Sequence, residues 1–358
     1  MRKILISLAV SLAIGAAPLC APGAAAERDG QHDFDFLTGA WKVHLKRRLD
    51  PLTGSSKWVE FDGAGLYRQI LGGRANLNEF EAEGPSGHIE GLTLRTYDPK
   101  THLWSLFWAN SREGVLQAPQ VGKFTDGQGE FYAQDDLDGK PIWVRYVWSK
   151  ITANSVHFEQ AYSADAGKSW EVNWISDMTK TADATLPMAA NSAPESDPDG
   201  QHGFDGLVGG HWKFHLHRLN ERLANSTTWT DFYGTGDCIP LWNGRANLDT
   251  LDVDAPSGKI EGLTLRLFDP KLRVWRLYWA NAADGHIDVP QIGQFHEGHG
   301  DFYAMDIQND HSVLVRFDWT GMNGKSPHFE QAFSIDGGKT WEVNWITDQT
   351  RLGDAGKN

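Results

Sequence analysis

Cysteine is nearly absent from this chain: its 358 residues include only Cys20 and Cys238. If the N-terminus is cleaved, as argued below, one thiol remains and no intrachain disulfide can form. Hydrophobic cores must then hold the fold, which units of roughly 150 residues can manage. Long apolar runs are also missing. The stretch from Ile4 to Ile14 is too short for the roughly 20 residues a membrane helix needs, and no later segment reaches that length, so no integral membrane association is expected. Positive charge is scarce, with 33 Lys and Arg against 47 Asp and Glu and a formal charge of −14. Such a surface repels nucleic acid and anionic lipid, and no nucleic-acid partner is expected. Neither a Gly-x-Ser-x-Gly nucleophile turn nor a glycine-rich phosphate loop is present.

What the chain does have is a second copy of itself. Every position from Gly39 to Trp174 faces one from Gly210 to Trp345 at a constant shift of 171, without a gap, and roughly half are identical. Just ahead lie His32-Asp-Phe-Asp-Phe-Leu37 and His202-Gly-Phe-Asp-Gly-Leu207, offset by one inserted residue. A repeat this long is a complete domain rather than a solenoid or propeller unit. Arg2 and Lys3, the apolar run, and Ala24-Ala-Ala26 follow the layout of a secretory signal peptide, so residues 1–26 are expected to be removed and the protein to be periplasmic or secreted. Loss of Arg2 and Lys3 takes the formal charge from −14 to −16. Residues 181–200 (TADATLPMAANSAPESDPDG) carry no periodicity and read as a flexible linker. The repeats then occupy residues 30–180 and 201–351.

Within each repeat the apolar period is two. Trp41, Val43 and Leu45 alternate with Lys42, His44 and Lys46, and Trp212, Phe214 and Leu216 repeat the pattern, as a half-buried antiparallel strand requires. Further strands are expected at 57–62, 89–97, 103–109, 129–135, 142–148, 157–163 and 170–175, separated by turns such as Asp98-Pro99, Asp126-Gly127 and Asp138-Gly139. Many short strands with such punctuation indicate an all-β sandwich or barrel. Closure would also remove sheet edges.

The Gly-x-Trp of Gly39-Ala-Trp41 and Gly210-His-Trp212 resembles the opening of the calycin barrels, the lipocalin and fatty-acid-binding group. The longer Phe34-Asp-Phe-Leu-Thr-Gly-Ala-Trp41 is similar to an uncharacterised, often exported bacterial domain family thought to share that barrel. The resemblance implies two tandem antiparallel calycin-like β-barrels with internal ligand cavities. It implies no reaction and carries over no catalytic residues.

Ser163-Ala-Asp165-Ala-Gly167-Lys-Ser169-Trp170 and Ser334-Ile-Asp336-Gly-Gly338-Lys-Thr340-Trp341 fit the Asp-box pattern of sialidases. One box per repeat does not build a propeller, and the expected role is a tied hairpin turn. Tryptophan is abundant, with 16 residues of which seven pairs match across the repeats. Trp104, Leu106, Trp108 and Asn110 share one strand face and all four recur as Trp275, Leu277, Trp279 and Asn281, while the other face drifts. The kept face is expected to point inward, either as packed core or as the wall of a cavity.

Polar residues kept among these aromatics favour a cavity. Gly73-Arg74-Ala75-Asn76-Leu77 recurs as residues 244–248, and Arg95, Tyr132 and Arg145 recur as Arg266, Tyr303 and Arg316. Buried polar groups need partners, and a few of them in an apolar cup are how small-molecule sites are built. The expected ligand-binding set is therefore Arg74, Asn76, Arg95, Trp104, Trp108, Asn110, Tyr132 and Arg145, with Arg245, Asn247, Arg266, Trp275, Trp279, Asn281, Tyr303 and Arg316. The ligand expected is a small apolar or aromatic molecule with an acidic or carbonyl head. A second reading is a cofactor-free isomerase, cyclase or hydrolase with His157 and Glu159, and His328 and Glu330, as acid–base pairs two apart on a strand. A third is a carbohydrate-binding module, which predicts exposed indoles. His211, His215 and His217 alternate with inward-facing residues and so point to solvent. No cofactor and no metal site are expected.

Overall fold

The computed structural model describes residues 28–181, 197, 200–256, 258–322 and 326–356. The expected signal peptide and nearly all of the expected linker lie outside the described residues. The first barrel is built from β1 (Gly39–Arg48), β2 (Trp58–Ile70), β3 (Ala75–Gly84), β4 (Gly87–Asp98), β5 (Leu103–Asn110), β6 (Gln120–Thr125), β7 (Gln128–Leu137), β8 (Lys140–Ser149), β9 (Ser155–Ser163) and β10 (Glu171–Thr181). The second comprises β11 (Gly210–Leu219), β12 (Trp229–Leu241), β13 (Ala246–Ala255), β14 (Gly258–Asp269), β15 (Val274–Asn281), β16 (Gln291–His296), β17 (His299–Gln308), β18 (His311–Thr320), β19 (His328–Ser334) and β20 (Glu342–Asp354). Each strand pairs antiparallel with its sequence neighbour, and β1 with β10 and β11 with β20 close the two sheets into barrels. This is the tandem all-β architecture that the alternation predicts.

Two strands per barrel have no counterpart among the sequence expectations: β3 and β6, repeated as β13 and β16. In β3 the inward positions are Asn76, Asn78, Phe80 and Ala82, so the buried face begins polar and hides the usual apolar alternation.

One end of each barrel is plugged by its own N-terminal segment. Phe34 and Leu37 enter the first barrel, 2% and 1% exposed, where Phe34 meets Trp104, Phe124, Phe131 and Trp148 at centroid distances of 4.9–5.8 Å. Backbone carbonyls of the segment satisfy the buried indoles. Trp104 Nε1 donates to the Gly30 carbonyl at 2.9 Å, and Trp41 Nε1 to that of Leu37 at 2.6 Å. Phe204 and Leu207 repeat the plug below Trp275 and Trp212.

The two barrels also share a core with each other. β4 alternates Thr93, Arg95 and Tyr97 into its barrel with Leu92, Leu94 and Thr96 out of it, yet both sets are buried. The outward leucines join Leu77 and Ala109 against Leu248, Leu263, Leu265 and Leu267 of the second repeat in one apolar cluster. A fully buried leucine contributes about 1.5–3 kcal/mol relative to exposure, so this face holds the barrels together. The contact is pseudo-symmetric. Arg74 pairs with Glu261, and the equivalent Arg245 donates to Glu90 at 2.6 Å. Thr96 Oγ1 donates to the Gly285 carbonyl at 2.6 Å, and the Leu116 N–H to the Tyr278 hydroxyl at 3.1 Å.

Candidate functional site

Above its plug the first barrel opens into a cavity of about 920 Å³, and the second into one of about 400 Å³. Both fall in the range of small-molecule sites. The first is walled by Phe80, Leu106, Trp108, Tyr146, Trp148 and Phe158, with Tyr67, Asn78, Thr93, Arg95, Gln160 and Asn173 as its deeper polar groups. Its mouth lies at the end of the barrel where β1 hands over to β2 and β5 leaves for β6, since Asp50, Pro51 and Gln117 also line it.

Arg95 decides the character of the floor. It projects inward from the middle of β4 and is 2% exposed. Its Nη1 donates to Asn76 Oδ1 at 2.9 Å and Asn78 Oδ1 at 2.8 Å, both from neighbouring β3. The guanidinium lies over Phe34, Tyr67 and Trp148 at 5.1–5.7 Å. Burial lowers its pKa to about 10, with Tyr67 and Tyr146 acting weakly the other way. Burial likewise raises the Tyr67 and Tyr146 pKa values, which keeps both hydroxyls protonated and able to donate.

The second floor is built alike and charged differently. Arg266 donates to Asn247 Oδ1 at 2.9 Å and stacks over Phe204 and Trp319 at 4.7 and 5.1 Å. Where β3 has Asn78, however, β13 has Asp249, whose carboxylate lies 2.6 Å from Arg266 Nη1. Burial raises the Asp249 pKa, with the Arg266 charge working against that rise. Cys238 replaces Tyr67, and burial, then the Asp249 charge, pushes its thiol up to about 12.

The expected ligand set divides four ways. Arg95, Trp108 and Asn110 line the first cavity, and Arg266, Trp279 and Asn281 the second. Asn76, Trp104, Asn247 and Trp275 are buried beside or below the cavities, holding the arginines or packing on the plugs. Arg74 and Arg245 sit in the contact between barrels and touch neither cavity. Tyr132 and Arg145 are on the outer wall, where Arg145 lies 4.7 Å over Trp170 and the Tyr132 hydroxyl donates to Glu130 at 2.6 Å; Arg316 and Tyr303 stack likewise on Trp341. Asn110 also ties the turn after β5, accepting from the Arg112 and Glu113 N–H groups at 3.1 Å.

The acid–base pairs lie on the outer wall too. His157 bridges Asp177 at 2.6 Å and Glu159 at 3.0 Å, and His328 bridges Asp348 at 2.7 Å and Glu330 at 3.3 Å. Burial opposes charge on both rings, but the carboxylate hydrogen bonds outweigh it and raise their pKa values. Neither pair reaches a cavity. The Ser163–Trp170 stretch makes a tied turn: Asp165 Oδ1 accepts from the Ser169 N–H at 2.9 Å, and Ser163 Oγ from the Gly167 N–H at 2.8 Å.

Sequence reasoning passed over Asn78, Tyr67 and Tyr146. They differ between the repeats, so identity across the copies could not mark them. Period two counted from Asn76 would have placed Asn78 on the same inward face.

No protein-family model matches the chain, and no curated protein sequence does. Solved structures with partial likeness include the S-type phycobiliprotein lyase CPES from Guillardia theta, at 12% identity and TM-score 0.32 over 44% of this chain and 95% of that one. A protein of unknown function from the DUF3598 family of Nostoc punctiforme aligns at 10% identity and TM-score 0.29, over 91% of this chain and all of that one. Likeness this loose says nothing of ligand or activity. Among the described residues no helix is long and apolar enough to cross a membrane.

Proposed function

We propose that this is an exported binding protein that holds a small apolar or aromatic molecule by its polar head, tail against the aromatic wall and head toward the buried arginine. The observation that carries this reading is the first cavity: about 920 Å³, indole-walled, with Arg95 at its floor. A packed structural barrel would close that volume with side chains, because interiors otherwise leave few voids larger than a water. It would also avoid burying an arginine, whose desolvation costs several kcal/mol. The acid–base alternative gains nothing from the geometry, since His157 and Glu159 face away from the cup. The sugar-platform alternative calls for exposed indoles, whereas Trp104 is fully buried and Trp108 faces inward.

Native mass spectrometry of protein purified gently from its own source tests this directly. The expected spectrum shows a chain beginning at Glu27 plus an extra mass that leaves on denaturation. Trp108→Ala is expected to lose that mass while the fold survives. A bare chain that also fails to take up any apolar dye would end the binding reading, and a retained Met1 would end the export reading.

A further inference from the structure

The two floors differ in charge, because Asp249 stands where the first has Asn78. Arg95 and Arg266 occupy equivalent positions, each nearly inaccessible to solvent and each held by an Asn of the preceding strand. Arg266 has a counter-charge within the barrel, Asp249 at 2.6 Å. Arg95 has Asn78 in that place, and among the described residues no carboxylate pairs with it. Its neighbours are amide oxygens and aromatic faces, which orient a cation without neutralising it. A buried charge without a partner is unfavourable, and a ligand that brings the opposite charge relieves it.

The hydroxyls follow the same division. Tyr67, Tyr146 and Tyr162 line the first cavity, and their equivalents at the second are Cys238, Phe317 and Phe333. The first floor therefore offers a cation with phenol donors nearby, a combination suited to oxyanions. The second offers a neutral ion pair, and the other charges lining that cup, Arg218 and Arg222 against Asp288 and Asp306, also balance. Duplication has kept the arginine and split its charge balance.

We infer that the first cup is a receptor for an organic anion, a carboxylate or sulfonate on an apolar body whose head pairs with Arg95, and that the second cup, closed electrostatically by Asp249, takes neutral molecules. This rests on the binding reading above, and the following experiment separates the two.

The probes are 8-anilinonaphthalene-1-sulfonate and N-phenyl-1-naphthylamine, which share an aromatic body and differ in the sulfonate. Each is titrated by fluorescence into the full mature chain, into Asn78→Asp, and into Asp249→Asn. These changes exchange the two floors with near-isosteric side chains, and circular dichroism checks the fold of each. The wild type is expected to take one anionic probe per chain. Asn78→Asp is expected to weaken it at least tenfold and leave the neutral probe within twofold. Asp249→Asn is expected to open a second anionic site. Anion binding that ignores both substitutions, or that fills both cups of the wild type, overturns the inference and leaves the binding reading standing. Neutral binding without anion binding does the same. If neither probe binds any version, the cups are not receptors and both readings fall.

Discussion

Arg74 and Arg245 show why a residue kept in both copies need not touch a ligand. Each carries its guanidinium into the opposite barrel's surface, where Glu261 and Glu90 receive it, and each also reaches a backbone carbonyl there, Ala282 or Ser111, at 3.5 Å. Selection on a pseudo-symmetric contact preserves both halves at once, which imitates the pattern of a shared site. Arg74→Ala with Arg245→Ala is accordingly expected to leave dye binding in the cups unchanged. It should lower stability by about 1–3 kcal/mol at Arg245, whose loss strands the Glu90 carboxylate, and by less at Arg74, because Glu261 keeps Lys259 at 2.8 Å; denaturant unfolding alongside a dye titration measures both. Lost binding at unchanged stability would return these arginines to the site. His157 and His328 make a separate prediction. Their folded pKa values are raised, so their contribution to stability is present below the unfolded value of about 6.5 and fades as pH climbs through the folded one. Replacing both by Gln should lower the melting temperature at pH below the unfolded value, and the gap from wild type should close as pH rises through the raised folded one. A gap that widens with pH would show that the rings work neutral.

At the level of strands, the sequence was most readable where one face is apolar and the other drifts. β1 and β5 meet that condition, and their inward faces, Trp41-Val43-Leu45 and Trp104-Leu106-Trp108, lie where period two puts them. β3 failed because its inward face opens with Asn76 and Asn78, and β4 is blurred because its outward face is buried against the second barrel. Both irregularities mark places where a strand serves something besides its own core: the polar floor and the contact between barrels. Of the cavity lining, alternation and repetition marked Arg95 and Trp108 but not the exchange of Asn78 for Asp249, which pairing of β3 with β4 and of β13 with β14 brings beside the arginines. The plug was legible as a repeated Phe and Leu without its destination being so. Its importance is measurable. Phe34→Ala removes the ring on which Trp104, Phe131 and Arg95 pack, and a buried aromatic truncated in this way costs about 3–5 kcal/mol. Phe204→Ala should cost the same in the second barrel. Denaturant curves showing less than about 1 kcal/mol would mean that the barrel closes without its plug.

For the molecule as a whole, the shared leucine core makes the two barrels one unit rather than two modules on a tether. The contact depends on close backbone approach at two glycines. A Cβ on Gly114 would stand 2.1 Å from the Phe268 carbonyl oxygen, and one on the equivalent Gly285 would stand 2.5 Å from that of Tyr97. Nothing shorter than a shift of one barrel away from the other relieves such overlaps, because both neighbours are backbone. Both glycines also have positive φ, 58° and 64°, which strains any other residue by itself. Gly127, at φ 79° with no atom within 4 Å of its virtual Cβ, supplies the control for strain without collision. The wild type is expected to unfold in one calorimetric transition and to sediment as a compact particle. Gly114→Ala with Gly285→Ala should split that transition and expose the leucine faces to self-association, whereas Gly127→Ala should shift the transition slightly and keep it single. If the double variant melts as the control does, the barrels are not coupled through this face, and each cup must be treated as an independent receptor.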